Sequence, residues 1–363
     1  MKNIKHLELF AGIGGFRKAI DLFAKDNSYA STCIAYSEFD NYAELTYESN
    51  FDNNKAIAMR DIVEFNSEPS NIKKLKNFNI LTAGFPCQPF SSMGNKKGLK
   101  DSRGNLFYEI VKILKVKNPQ IVLLENVRNF KNHDNGRTFS TVKKILEEEC
   151  GYSVYWDVFN TANFGLPQDR RRVYILGLKT KPSKNFEFTE KIVAETLDEH
   201  IKNTGLNKYK DTRSILSKNV NEKYYLSNKI KKTILSSGTG GFHAKPEINK
   251  PKARTLTATM VKMHRAGQDN YYSDEFTKLT KVESKKYEDF IVPKSKYNSY
   301  NIRKLTPEEG LKLQGFDKQF FINAHKAGVS NTQLYKQIGN AVSVNVVYGI
   351  IHYLKTKKVG IFK

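Results

Sequence analysis

The chain has 363 residues, 39% hydrophobic and 12% aromatic, enough to bury one large core and a second, smaller one. Lysine plus arginine outnumber aspartate plus glutamate 60 to 37, a formal charge of +23 that points to a polyanionic partner, the plainer reading being solubility and AT-rich codons. Cys33, Cys87 and Cys150 form no CxxC pair, no signal peptide is visible and no apolar run approaches membrane-spanning length. A disulfide framework, a zinc or other metal site and a membrane span are therefore not expected, and a cytoplasmic location is.

The first half alternates short apolar strands with helical patterns. Strands are expected at Ile4–Phe10, Ser31–Ser37, Ile80–Ala83, Ile121–Leu124, Val154–Asn160 and Arg172–Leu176. Helices are expected at Phe16–Ala24, Asn105–Val116 and Thr141–Glu149. That alternation specifies an α/β fold with a largely parallel sheet. Near Lys179 the composition shifts. From there to about Tyr300 the chain is rich in Lys, Ser, Thr and Asn, with weak periodicity and a glycine cluster at Gly238–Gly241. Recurring Tyr, Phe and Leu favour a folded domain there over a linker. Order returns at Ile302, Pro307 suits a first helical turn, and an apolar helix-like segment, Val342–Leu354, closes the chain.

Chemistry gathers at the expected strand ends. After the first strand comes Phe10-Ala11-Gly12-Ile13-Gly14-Gly15-Phe16, a glycine turn that lets backbone approach a ligand at a helix N-terminus. The pattern is not the G-x-G-x-x-G of dinucleotide binders. The methionine part of S-adenosylmethionine fits it better than a pyrophosphate, and a plain tight turn is the alternative. Glu38 follows the second strand and can accept ribose hydroxyls, with Phe39 beside it able to stack on adenine. Asp61 can accept an exocyclic amine. Each acid alone reads as a solvated loop residue; together they outline a nucleoside site.

Cys87 follows the third expected strand, between Pro86 and Pro89, which hold the loop out of sheet and helix. An exposed rigid thiol there is placed for reactivity, although a free cysteine is more often a small buried hydrophobe. Glu125 stands at the carboxyl edge of the next strand. Burial would keep it protonated and able to donate to a base; the alternative is a helix cap or loop acid. In Gln168-Asp169-Arg170-Arg171-Arg172 strand alternation puts Arg170 and Arg172 on one face, suited to a phosphate or a base carbonyl.

Those runs, with Gly339-Asn340-Ala341-Val342-Ser343-Val344-Asn345 near the C-terminus, fall in one order. The set resembles the DNA (cytosine-5)-methyltransferase family of bacterial restriction–modification systems, over residues 4–178 and 302–355. The resemblance implies a Rossmann-like, S-adenosylmethionine-dependent catalytic domain (1–179 and 301–363) with a smaller, irregular target recognition domain (180–300). It implies Cys87 as the nucleophile on cytosine C6, Glu125 at N3 and the amino group, Arg172 on the flipped base, and Arg170 as its neighbour. For S-adenosylmethionine it implies Phe10, Gly12, Gly14, Gly15, Glu38, Phe39, Asp61, Ile62, Pro86, Asn340 and Ala341. The C-terminal helix must then pack back against the first strand. For DNA it implies Ser91, Lys96, Lys97 and Arg103 in a closing loop, and Arg254 and Thr255 in Arg254-Thr255-Leu256-Thr257, which is similar to the family's Thr-Leu pair. Phe39 stands where many relatives carry another bulky residue; Asp169 and Arg171 are variable positions without an assigned role.

The expected partner is double-stranded DNA, met by a monomer associated with the bacterial nucleoid, alongside a restriction endonuclease acting on the same site without stable contact. Three other readings compete with it. A tRNA cytosine-5 methyltransferase of the same family would carry a Cys-Phe-Thr signature, which is absent. A non-catalytic DNA-binding regulator is disfavoured by Cys87, Glu125 and Arg172. A small-molecule methyltransferase would explain the glycine turn but neither Cys87 nor the charge.

Overall fold

The computed structural model describes residues 2–86, 106–238, 243–262, 264–265 and 267–362. Cys87, Ser91, Lys96, Lys97, Arg103 and most of the glycine cluster lie outside them. The chain forms two compact units. One comprises Met1–Asn160, Arg171–Leu206 and Val342–Lys363, the other Thr161–Arg170 and Asn207–Ala341.

The first unit is built on a seven-stranded sheet. Its strands are β1 (Asn3–Leu9), β2 (Ala30–Tyr36), β3 (Ile57–Ala58), β4 (Ile80–Gly84), β5 (Ile121–Val127) and β6 (Ser153–Asn160); after β7 (Gln168–Asp169), which belongs to the second unit, β8 (Arg171–Leu178) completes it. The order is β3-β2-β1-β4-β5-β8-β6, with parallel pairing from β3 to β5 and β8 antiparallel to both its neighbours. Strand order reverses at β1, which lies between β2 and β4, and α/β sheets open a ligand crevice at such a point. Helices α1 (Gly15–Asp26), α2 (Asn41–Glu48), α3 (Ile62–Ser67), α4 (Pro69–Lys74), α5 (Leu106–Lys117) and α6 (Arg137–Lys144) fill the connections. A core of Leu7, Leu9, Leu81, Val122 and Leu124 packs against Phe107, Ile110 and Leu114 of α5. These strands read as continuous apolar runs because a parallel sheet is covered on both faces.

The compact units do not divide where the composition does. Residues after Lys179 stay with the first unit through α7 (Glu190–Asp198). Asp157 Oδ2 accepts the Glu190 amide at 2.8 Å, and the Phe186 ring lies 5.6 Å from that of Tyr353. A polar surface composition does not say which core a segment's few apolar residues enter.

The second unit contains α8 (Asn228–Leu235), β9 (Ala253–Arg254), β10 (Tyr271–Ser273), α9 (Asp274–Lys278), α10 (Lys281–Ser284), β11 (Ile302–Lys304), α11 (Pro307–Leu313), α12 (Lys318–Lys326) and α13 (Asn331–Asn340). Residues 301–341 belong here, not with the first unit. Its two sheets are minimal: β10 pairs antiparallel with β11, and β7 parallel with β9. A small core joins Ile234, Leu235, Ile248, Tyr271, Val292 and Ile302. Pro307 does open a helix, under a capping box in which Thr306 and Glu309 satisfy each other's amides. The buried Arg303 guanidinium meets both Glu309 carboxylate oxygens, at 3.0 and 2.9 Å.

The chain ends in α14 (Val344–Thr356), back in the first unit. It packs on α1, the helix after the glycine turn, rather than on β1 as expected from sequence.

Candidate active site

Three glycines shape the turn after β1 for three different reasons. Gly12 has φ +57° and open space where a side chain would start. Gly14, at φ +84°, caps α1, and a Cβ there would enter the Phe51 ring. Gly15 is tightest: a Cβ would stand 2.5 Å from the Val342 carbonyl oxygen. Phe10 itself adopts φ +52°, an uncommon left-handed conformation for an aromatic residue. Its amide donates to Ser37 Oγ at 3.2 Å and the Ala11 amide to Ser37 O at 2.8 Å, so the end of β2 holds the turn.

Glu38 is joined to that turn directly. Oε2 accepts the Gly12 amide at 2.7 Å and Oε1 the Asp40 amide at 2.8 Å. Burial pushes its carboxyl above the ordinary range, opposed by those two amides. Phe39 is 77% exposed, an uncovered ring at the sheet's carboxyl edge. Asp61 N-caps α3, with Oδ1 accepting the Val63 amide at 2.8 Å, so a structural role stands beside the expected binding one. Ile62 is buried in the core and offers only backbone.

Beneath the turn lies a polar cluster that sequence reasoning missed. The Tyr47 hydroxyl donates to Glu8 Oε2 at 3.3 Å and receives Arg17 Nη1 at 3.2 Å. Burial pushes Glu8 up to about 8 against the pull of Arg17, and holds His6 down at about 4. Glu8 was hidden between Leu7 and Leu9; a charge inside an otherwise apolar parallel strand was the available signal.

At the next edge, Phe85 is buried against Phe107 and Phe130, with ring centroids at 5.7 and 5.3 Å, and exposed Pro86 follows. Asn126 Nδ2 donates to the Phe85 carbonyl at 2.9 Å, tying the segment that leads to Cys87 to the end of β5. The sequence reading assigns Asn126 no role. Glu125 is paired with Gly84 in the β4–β5 register, and its Oε1 receives Arg172 Nε at 3.1 Å from β8. Both side chains are largely buried. Burial alone was expected to keep Glu125 protonated. In the structure that carboxyl is also partnered by a guanidinium.

Arg170 does not share a face with Arg172. The chain changes partners between them, from the parallel β7–β9 pair to the antiparallel β8–β5 pair, which breaks the alternation. The buried Arg170 guanidinium donates to the carbonyls of Leu256, Gly339 and Ala341, at 2.9, 3.0 and 2.8 Å, all within the second unit. These partners make it a brace within the second unit. The expected DNA contacts at Arg254 and Thr255 also turn inward. Arg254 Nη1 donates to the Glu247 and Asp269 carbonyls, and Thr255 Oγ1 to Asp169 O at 2.6 Å. Asn340, exposed at the end of α13, and buried Ala341 belong to the second unit, whereas the other expected cofactor residues belong to the first.

Comparison with known proteins gives this geometry a context. The model of the C-5 cytosine-specific DNA methylase family matches residues 4–356. The chain is 36% identical over 352 residues to the Type II methyltransferase M.HaeII of Haemophilus aegyptius, covering 96% of this chain and 92% of that one. It is 34% identical over 351 residues to M.HpaII of Haemophilus parainfluenzae, covering 94% and 86%. Among solved structures, the Entamoeba histolytica methyltransferase EhMeth shares the fold with a TM-score of 0.71 at 22% identity, over 98% of this chain and 99% of that one. With the glycine turn, the Glu125–Arg172 pair and the Asn126-held segment before Cys87 in their places, the chain belongs to the C-5 cytosine-specific DNA methylase family and is a DNA (cytosine-5-)-methyltransferase.

Proposed function

We propose that the protein transfers a methyl group from S-adenosylmethionine to C5 of a cytosine flipped out of duplex DNA, through a covalent bond between Cys87 Sγ and C6. The carrying observation is the 3.1 Å pair between Glu125, on the strand beside the one that ends just before Cys87, and Arg172, on the strand beyond it.

Cytosine C5 is a weak nucleophile until a thiolate adds to C6. The C4–C5–C6 system then becomes an enamine, with its negative charge drawn toward N3. Glu125 hydrogen-bonds the N3 and amino edge and delivers the proton N3 takes up. Arg172 orients that carboxyl and offers its remaining N–H groups to the base. C5 takes the methyl, with S-adenosylhomocysteine as the leaving group; C5 then gives its proton to solvent as Cys87 is expelled, the C5–C6 double bond re-forms and N3 returns its proton to Glu125. Asn126 acts earlier, as a positioning residue for the Phe85-Pro86 segment.

The turn after β1 fits an adenosine-bearing cofactor. The open face of Gly12, the Glu38 carboxyl and the bare Phe39 ring offer backbone approach, a hydroxyl acceptor and a stacking surface. S-adenosylmethionine supplies an electrophilic methyl there. The rest of this reading extends to the second unit as the part that reads the DNA target, to a monomer, and to an endonuclease sharing that target.

The test is transfer of labelled methyl to duplex DNA, tRNA and free nucleosides. Transfer to duplex alone, lost in Cys87→Ser while cofactor binding persists, is expected. Transfer by Cys87→Ser at the wild-type rate overturns the mechanism, and transfer to tRNA overturns the substrate.

A further inference from the structure

The second unit contains a cavity of about 670 Å³ whose described lining includes no carboxylate. Lys223, Lys262, Lys304 and Lys336 surround it, and the rings of Tyr224 and Tyr335 form part of its wall. The volume falls within the range of small-molecule sites and exceeds what a phosphate alone would fill. Both rings are fixed. Tyr224 Oη accepts Asn331 Nδ2 at 3.1 Å, and the Tyr335 hydroxyl donates to the Leu305 carbonyl. Their hydroxyls are thus already engaged by the protein.

One wall is the loop that follows Arg254-Thr255-Leu256-Thr257, and it is clamped in place. A Cβ at Gly339 would stand 2.1 Å from the Ala258 amide nitrogen, so α13 and this loop touch backbone to backbone. Arg170 holds Leu256 O and Gly339 O with one guanidinium. The loop also keeps Val261 at φ +69°, a strained conformation for a β-branched residue that only surrounding structure can impose. Lys304 is half-buried, and burial together with Lys223 pulls its ammonium below the ordinary lysine value. Two ammonium groups thus repel each other at the cavity, and an anion between them would relieve that.

We propose that this cavity is a nucleotide subsite of the unit that meets DNA: it takes one nucleotide of a strand, the phosphate among the lysines and the base against the tyrosine wall. The lysines answer the phosphate charge, and base–aromatic contact is tolerant of sequence. The subsite would grip the strand rather than read it. The proposal rests on the DNA methyltransferase reading, and the experiment keeps the two apart.

Full-length protein carrying ¹³C-methyl methionine is titrated with deoxycytidine 5′-monophosphate, deoxycytidine and inorganic phosphate. Met260, which lines the cavity, is the reporter. The nucleotide is expected to shift the Met260 methyl resonance and to bind about tenfold more tightly than either fragment, one decade being the least a second set of contacts should add. Lys223→Ala with Lys304→Gln should abolish the shift, and Lys223→Arg should retain it. In duplex binding, the double variant should lower the slope of log K against log salt by about 1, the one phosphate that the subsite holds. A silent Met260 methyl, equal binding of phosphate and nucleotide, or an unchanged salt slope overturns the subsite. Methylation of duplex by the same wild-type preparation isolates the failure: if it persists, only the subsite falls; if it is absent, the underlying reading falls.

Discussion

Replacing Glu309 with glutamine removes one charge and almost no volume, from a place where little can relax. Arg303 is 1% exposed and Glu309 fully buried. The carboxylate accepts four N–H groups: Arg303 Nη1 and Nη2 at 3.0 and 2.9 Å, and the amides of Thr306 and Ser217, each at 2.8 Å. Each oxygen serves one guanidinium nitrogen and one amide. A glutamine must turn its NH2 toward one of those donor pairs, leaving two donors unanswered and a guanidinium charge uncompensated. Breaking a buried pair in this way costs roughly 3–5 kcal/mol. Against the 5–15 kcal/mol typical of a whole domain, that lowers the folding constant of the second unit by about a thousandfold. Urea unfolding followed by circular dichroism measures it. The double replacement Arg303→Met with Glu309→Leu should lose less than Glu309→Gln alone, because no charge is then left buried. A loss below about 1 kcal/mol for Glu309→Gln, or a double variant equal to the sum of the singles, would refute the reasoning.

Gly15→Ala improves helix propensity by up to about 1 kcal/mol, yet its Cβ meets the Val342 carbonyl; a lower Tm and weaker cofactor binding are expected, whereas a higher Tm would show that the carbonyl moves freely. Asn126→Ala should lower kcat while leaving cofactor affinity within about twofold, since it frees the Phe85 carbonyl without touching the glycine turn; calorimetry with S-adenosylmethionine and single-turnover methylation separate the two. Stability should peak near neutral pH. Glu8 titrates at about 8 in the fold and 4.5 unfolded, so the unfolded chain loses that proton first and stability falls as pH rises through this window; Glu8→Gln should remove that fall in thermal melts. His6 and His352, both held at about 4 by burial, take protons first in the unfolded chain, so stability also falls from pH 6.5 down to about 4; a melt insensitive to pH there would contradict their burial.

Much of the first unit was legible because its strands are buried on both faces and appear as apolar runs. Strand ends then marked the site: Glu38, Glu125 and the glycine turn fall where the alternation put them. What escaped depends on partners far away in sequence. Nothing in Asp169-Arg170-Arg171 announces that the chain leaves a parallel partner for an antiparallel one, so two arginines expected on one face serve different units. Arg254 looked available for phosphate because Glu247, seven residues before it, gave no sign of folding over it. Asp61 shows the converse, an acid whose cap role and binding role are equally written in its position before a helix. The second unit's short helices carry too few turns for a hydrophobic period, and only the capping signals, such as Thr306-Pro307-Glu308-Glu309, were distinct.

The contact between Gly15 and Val342 has a bearing on how the enzyme comes into being. A ribosome releases the glycine turn first and the residue that backs it more than 300 residues later. While the residues between them are made, the turn has no Val342 behind it and α1 lies without α14. A chain interrupted before Val342 therefore holds Cys87, Glu125 and Arg172 but leaves the turn after β1 unbacked, and is not expected to transfer methyl groups.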